Sequence, residues 1–242
     1  MSTLHPVFSK RKFLSLSLKT QHKKAALELR HYYEKKEEKH LLLYRKLEEC
    51  LSLPLTDLAF PSLADRYHFH LKEASISLKE HNFLTAQYDS LAKAPYLPIG
   101  IYLENLRSGH NVGSILRTVE AFRLGTVYFS PETPGIENKK VTDAAMGSAP
   151  FVPSEVCASF DKLPRPLIAV ETVPDAPPYF DFSFPESFSL LLGNEEYGLK
   201  SSSVNEANYV IQIPLLGSKN SLNVASAFAI IAAEIRKRRA YF

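Results

Sequence analysis

Apolar positions in the first part of the chain recur at spacings of three and four, which predicts helices rather than strands. All nine glycines lie at or after Gly100. The glycine-free front is rich in Ala, Leu, Glu, Lys and Gln, which are good helix formers. One helix is expected from about Gln21 to Cys50, with Ala25, Leu29, Tyr32 and Tyr33, then Leu43, Tyr44 and Leu47, along its apolar stripe. Pro54 and Pro61 interrupt the pattern after it. A second helical stretch, from about Leu63 to Ala92, places Leu63, Tyr67, Leu71, Ala74 and Leu78 on one side. Its less regular middle leaves room for a break near His81–Asn82.

From Pro95 the texture changes to short β-rich runs alternating with helical segments, the order expected of a parallel α/β sheet. The expected strands are Ile99–Leu103, Thr126–Ser130, Leu167–Glu171, Ser189–Leu192 and Tyr209–Ile213. The expected helices are Val112–Arg123, Lys139–Ala145 and Val224 to about Arg238. Ten of the 16 prolines lie between Pro131 and Pro185, so loops dominate the middle, and Pro177–Pro178 is expected as an exposed bend.

At 242 residues the chain has room for a sizeable domain with a smaller companion, divided here as 1–95 and 96–242. No apolar run is long enough to span a bilayer and no signal-peptide pattern opens the chain, so a soluble, cytoplasmic protein without membrane contact is expected. Cys50 and Cys157 have no Cys or His near them at ligand spacing, so neither a disulfide framework nor a metal is expected. Charge is unevenly placed. Residues 1–95 carry 16 basic and 11 acidic side chains, against 13 and 15 in the remainder. Lys10, Arg11, Lys12, Lys19, Lys23, Lys24 and Arg30 precede most of the acids, a density that suits a polyanion as well as an ordinary solvated helix face.

Three glycine-bearing segments carry the candidate chemistry. The first, Asn105 to Phe122, follows an expected strand and opens a helix, with Asn111 as its expected N-cap and Arg117 further along. The second, Leu190-Leu-Leu-Gly-Asn-Glu-Glu-Tyr-Gly-Leu199, is a strand that stops at Gly193 and turns back at Gly198. The third, Ile211 to Ile230, runs from a strand through a polar loop into an alanine-rich helix, with Ser221 and Asn223 where caps and anion contacts occur. Taken singly, each is equally a well-capped helix or a surface loop.

Taken together they resemble, in order and wording, the three motifs of the SpoU (TrmH-like) branch of the SPOUT superfamily. Gly109-His-Asn-Val-Gly-Ser-Ile-Leu-Arg-Thr-Val-Glu-Ala-Phe122 departs from the first motif mainly at His110. Leu190–Leu199 meets the second and Ile213–Val224 the third, while Val141–Ala149 resembles a looser intermediate helix. The resemblance covers about residues 99–238 and says little about the first 95.

The resemblance implies an α/β fold with a parallel sheet and a C-terminal trefoil knot, preceded here by a helical extension. It implies a homodimer that transfers methyl groups from S-adenosylmethionine to a ribose 2′-hydroxyl of tRNA or rRNA. Gly193, Ile213 and Leu222 would line the cofactor site, with Glu171 or Thr172 adding to it. Arg117, Asn111, Glu195, Ser221 and Asn223 are the implied catalytic set, with Glu195 fixing either Arg117 or the knot loops and one subunit's arginine completing the other's site. No Gly-x-Gly-x-x-Gly run follows an expected strand, which disfavours a Rossmann-type methyltransferase. The alternatives are a non-catalytic RNA-binding protein on the same scaffold and a base methylator, with His110 as an alternative proton acceptor.

Overall fold

A parallel strand buried on both faces calls for a mainly apolar run, and residues 99–103, 167–170 and 188–192 form such runs. The computed structural model describes residues 9–77 and 94–239. The chain divides into two units, Met1–Ser90 and Leu91–Phe242. Leu78, the expected break at His81–Asn82 and the rest of the second helical stretch up to Ala92 lie outside the described residues.

In the second unit the order is β1 (Ile99–Leu103), α5 (Gly109–Phe122), β2 (Gly125–Phe129), α6 (Lys139–Ala145), β3 (Ser154–Val156), β4 (Leu167–Val170), β5 (Phe188–Leu192), α7 (Ser201–Glu206), β6 (Tyr209–Ile211) and α8 (Val224–Arg239). Four helices that precede these, α1 to α4, belong to the first unit. The strands form one six-stranded parallel sheet in the order β3-β2-β1-β5-β4-β6. Side chains alternate between its faces. Ile101, Leu103, Val127, Leu190 and Leu192 join α5 and α8 in one core, while Tyr102, Tyr128, Ala169 and Leu191 join Phe160 and Leu199 in another.

Leu103 pairs with both Phe129 and Leu192, so β1, β2 and β5 end level with one another. The loops that leave their carboxyl ends therefore start side by side, the edge where open α/β sheets bind ligands. Two expectations change here. The short edge strand β3 and the short helix α7 add to the expected elements; three residues and six hydroxyl-rich ones carry too little periodicity to predict them. Pro177–Pro178 is not a free bend: Pro178 bridges to Gln212, extending the sheet beside β6.

The first unit contains α1 (Lys10–Leu14), α2 (Leu18–Lys35), α3 (Glu38–Cys50) and α4 (Phe60–Glu73). Ser9 and Ser17 cap the first two by accepting from the amides of Lys12 and Thr20. The expected single helix from Gln21 to Cys50 is in fact two, because Lys36 adopts a left-handed conformation (φ 55°) and turns the chain back. That conformation costs a non-glycine residue about 1 kcal/mol. A continuous helix would leave half of its apolar stripe uncovered. Folded back, Ala25, Ala26, Leu29 and Tyr33 of α2 share a core with Tyr44 and Leu47 of α3 and with Leu63, Tyr67 and Leu71 of α4. The second expected helix stops at Glu73, where Ser75 takes a positive φ.

That core holds a buried polar chain. His22 Nδ1 lies 2.9 Å from His70 Nδ1, and His70 Nε2 lies 3.1 Å from the Tyr44 hydroxyl. The hydroxyl in turn donates to Glu48, which also accepts from the Thr56 amide and hydroxyl and from Arg45. One set of tautomers satisfies every member: His22 donates to His70, His70 to Tyr44 and Tyr44 to Glu48. This needs a neutral His70. Burial, reinforced by His22 and Arg66, pushes its pKa down to about 3, while burial, with the Glu48 carboxylate adding to it, raises the Tyr44 phenol to about 12.

As pH falls below the ordinary imidazole value of 6.5 towards about 3, the unfolded chain takes up a proton at His70 that the folded unit refuses, so stability falls. Denaturant midpoints measured at successive pH values should drop through this window, and His70→Asn should flatten the upper part of the drop. A wild-type profile that stays level below pH 6.5 contradicts the assignment.

Candidate active site

Three loops meet at the carboxyl edge of the sheet. Asn105 leaves β1 in the left-handed region (φ 53°), which Asn tolerates better than most residues. Its amide donates to Ser130 Oγ and its side chain donates to the Tyr197 hydroxyl at 3.2 Å. Three residues on, Ser108 begins α5 by accepting from the Asn111 amide. The helix therefore starts at Gly109, and Asn111 is not its cap. The Ser108 hydroxyl, three residues upstream, takes that role and frees the Asn111 side chain for longer-range bonds.

The second loop is tight. Asn194 and Gly198 exchange two backbone hydrogen bonds of 2.9 Å each. Gly193 touches the returning strand so closely that a Cβ there would sit 2.1 Å from Gly198 C and Leu199 N. Gly198 has φ +73°, and a Cβ on it would meet Glu171 Oε1 at 2.4 Å. Glycine is required at both positions for these separate reasons. Glu171, at the end of β4, accepts from the Leu199 amide. Glu104, at the end of β1 and almost fully buried, accepts from the Lys200 amide and the Ser203 hydroxyl. Two carboxylates thus hold the chain as it leaves this loop.

Glu195 ties the second loop to the first. It accepts from the amides of Arg107 (3.0 Å) and Ser108 (3.1 Å) and from Asn111 Nδ2 (2.9 Å). A carboxylate can only accept, so it fixes the Asn111 amide group with its oxygen turned away. That oxygen accepts from Asn223 Nδ2 at 3.0 Å. Asn223 Oδ1 is left to accept from the amides of Ala225 and Ser226, which caps α8. A single chain of bonds, Glu195 to Asn111 to Asn223 to the start of α8, joins all three motif segments.

Partial burial would raise the Glu195 carboxyl, but bonds from Arg107, Asn111, its own amide and Ser108 outweigh this and hold it below the ordinary value. It stays ionised, and keeps the loops joined, until pH falls through and below the ordinary carboxylate range.

Beside this chain of bonds lies a cavity of about 570 Å³. Gly193, Ile213, Leu222 and Thr172 all line it, as do Glu171, Glu195, Ser221 and Asn223. Asn111 and Arg117 are not among its lining residues. Arg117 is exposed on α5 and donates to Met146 Sδ at 2.9 Å. Among the described residues it has no carboxylate partner, so Glu195 fixes the loop before α5 and not Arg117. Residues missed from sequence are Asn105, Arg107, Ser108 and Tyr197. Arg107 and Ser108 act here through backbone amides, which leave no trace in residue type, whereas a Ser three residues before Asn111 was a readable capping signal.

In the first unit Lys10, Arg11, Lys12, Lys19, Lys23 and Lys24 are exposed and have no ion pair among the described residues. Arg30 differs. It is partly buried and bonded to Glu34 at 2.6 Å, so its charge is already matched.

In a Glu195→Gln variant one side-chain oxygen becomes an NH₂ group that must face an N–H donor, whichever way the amide is turned. Thermal unfolding should show the second unit weakened by about 1 kcal/mol, and an unchanged transition would mean that the carboxylate does not hold these loops.

A family model described as the SpoU rRNA Methylase family matches residues 98–233. The chain is 28% identical over 141 residues to the 23S rRNA (guanosine(2553)-2′-O)-methyltransferase RlmP of Bacillus subtilis, covering 56% of this chain and 57% of that protein. It is 25% identical over 167 residues to the 23S rRNA (guanosine-2′-O-)-methyltransferase RlmB of Neisseria meningitidis, covering 66% of each. The fold is similar, with a TM-score of 0.55 and 25% identity, to the SpoU methyltransferase AviRb from Streptomyces viridochromogenes in complex with AdoMet, over 62% of this chain and 60% of that one. The chain thus spans less than two thirds of the length of these relatives. With the family model matching more than half of its residues, on the segment that holds all three loops, the chain belongs to the SpoU rRNA Methylase family.

Proposed function

We propose that this chain is an S-adenosylmethionine (AdoMet)-dependent RNA methyltransferase acting on a ribose 2′-hydroxyl of tRNA or rRNA, and that it works as a homodimer in the cytoplasm. The observation that carries this reading is the chain of bonds from Glu195 through Asn111 to Asn223, which joins three separate motifs beside a cavity lined by the second and third. The RNA methyltransferase family and the 2′-O-methyltransferases among its relatives support the reaction type.

The cavity's residues fit the cofactor. A volume of about 570 Å³ is in the range of small-molecule sites. Gly193 offers backbone groups, and Ile213 and Leu222 offer apolar surface. Thr172 would add a hydroxyl at the rim. When bound, AdoMet supplies an electrophilic methyl group on a sulfonium. We further infer that the polypeptide around Asn194–Asn223 is tucked as the family's trefoil knot, which would make the cavity walls rigid.

The remaining chemistry belongs to the protein and is mostly positioning. A guanidinium keeps its proton to above about pH 12, so Arg117 is assigned to clamping the phosphate next to the acceptor ribose rather than to taking the hydroxyl proton. Ser221, at the cavity rim, would share that phosphate. Asn111, Glu195 and Asn223 are positioning residues that hold the loops on which Ser221 sits. Arg117 is exposed, lies outside the cavity lining and has no carboxylate partner among the described residues, which supports its use by the other subunit of a dimer. The unpaired cations from Lys10 to Lys24 supply a surface for RNA phosphates, and Arg30 is left out of that set because Glu34 neutralises it.

Arg117→Ala should lower methyl transfer to RNA by a factor of about 100 or more, with the affinity for AdoMet changed less than about two-fold. Retained transfer would remove Arg117 from the mechanism. Replacing Lys19, Lys23 and Lys24 together by Glu should weaken RNA binding and flatten the dependence of log K on log salt, by a slope of roughly 2–3 if each lysine meets a phosphate. Cofactor affinity should not move, and an unchanged salt slope would place the RNA elsewhere.

A further inference from the structure

In the first unit, the turn at Lys36 has a consequence beyond covering the core. Were α2 and α3 one continuous helix, Glu28 and His40 would lie about 18 Å apart along its axis. Folded back, His40 Nδ1 lies 2.7 Å from Glu28 Oε2. His31, three residues after Glu28 and so on the same face of α2, meets His40 edge to face with ring centroids 5.0 Å apart. One ligand atom from each of Glu28, His31 and His40 lies within 4.8 Å of the other two. All three side chains are partly buried, with His40 15% and Glu28 19% exposed.

Two features set this cluster apart from a hydrogen-bonded pair with a bystander. His31 Nδ1 is buried and has no hydrogen-bond partner among the described residues, which is costly for a nitrogen able to donate or accept. Glu28 has no Lys or Arg partner among the described residues, so its only charged match is an imidazole. We propose that Glu28, His31 and His40 bind a divalent transition metal of the zinc type, which clasps α2 to α3. Two imidazoles and a carboxylate are a donor set such ions favour. Metal–ligand bonds of about 2.0–2.1 Å bring tetrahedral ligand atoms to roughly 3.3 Å of one another. The Glu28–His40 pair, now 2.7 Å apart, opens slightly and His31 draws in from at most 4.8 Å, adjustments that side-chain rotation supplies. Water can fill the remaining position. Neither cysteine takes part: the proposed ligands come from residues that only the turn brings together.

The role this gives the ion is structural, in the unit that carries the unpaired lysines, and it is independent of methyl transfer. Titrating the metal-free full chain with zinc against a chromophoric chelator should show one tight equivalent per chain and a raised unfolding temperature. His31→Ala and His40→Ala should each weaken that equivalent by a factor of about 100, and Glu28→Gln by about 10. Should a variant fail to fold, cobalt(II) bound to the wild-type chain gives an independent reading, since a site with His ligands in tetrahedral geometry produces strong visible d–d absorption. Zinc binding no tighter in the wild type than in the His31→Ala/His40→Ala double variant overturns the proposal, as does a cobalt-loaded wild type without those bands.

Discussion

The Glu195 carboxylate is the point on which the site's arrangement turns. It can only accept hydrogen bonds, and it meets two backbone amides and one side-chain amide, all of them donors. This removes the rotational ambiguity of Asn111, which removes that of Asn223, which in turn decides how α8 begins. A polar chain of this kind is strong only when complete, because each member otherwise leaves a partner unsatisfied. Here every link is made, and the order propagates from one exposed loop to the start of a 16-residue helix.

Backbone contact supplies the second constraint. Gly193 and Gly198 let the chain double back within van der Waals contact of itself, and Glu171 and Glu104 take up the amides exposed by that turn. The level ends of β1, β2 and β5 place these loops on one edge. The cavity is walled in part by the tight turn from Gly193 to Gly198.

In the first unit the same logic appears in helical form. A left-handed Lys36 is locally unfavourable, yet it lets two halves of one apolar stripe face each other and α4. The turn also sets His31, His40 and Glu28 together, while the lysines of α1 and α2 remain in solvent. Buried His70 shows the cost of a polar group in that core, since its neutral form is required by the bonds it makes.

By itself the sequence determined the alternation of strands and helices beyond residue 98, because buried strands and amphipathic helices have periods that composition displays locally. It also determined the three motif segments and, through them, the family. Every residue assigned to the cofactor cavity, Gly193, Ile213, Leu222 and Thr172, does line one cavity. Only the tertiary structure decided that Asn111 serves as a bridge and not a cap, that Glu195 holds the loop before α5 and not Arg117, and that the helix expected from Gln21 to Cys50 folds back at Lys36. Each of these depends on partners distant in sequence, as Asn111 and Glu195 are, 84 positions apart. Periodicity and propensity report on neighbours within a turn or two, whereas the choice among several acceptable local hydrogen bonds is made by whichever distant group the fold brings within 3 Å.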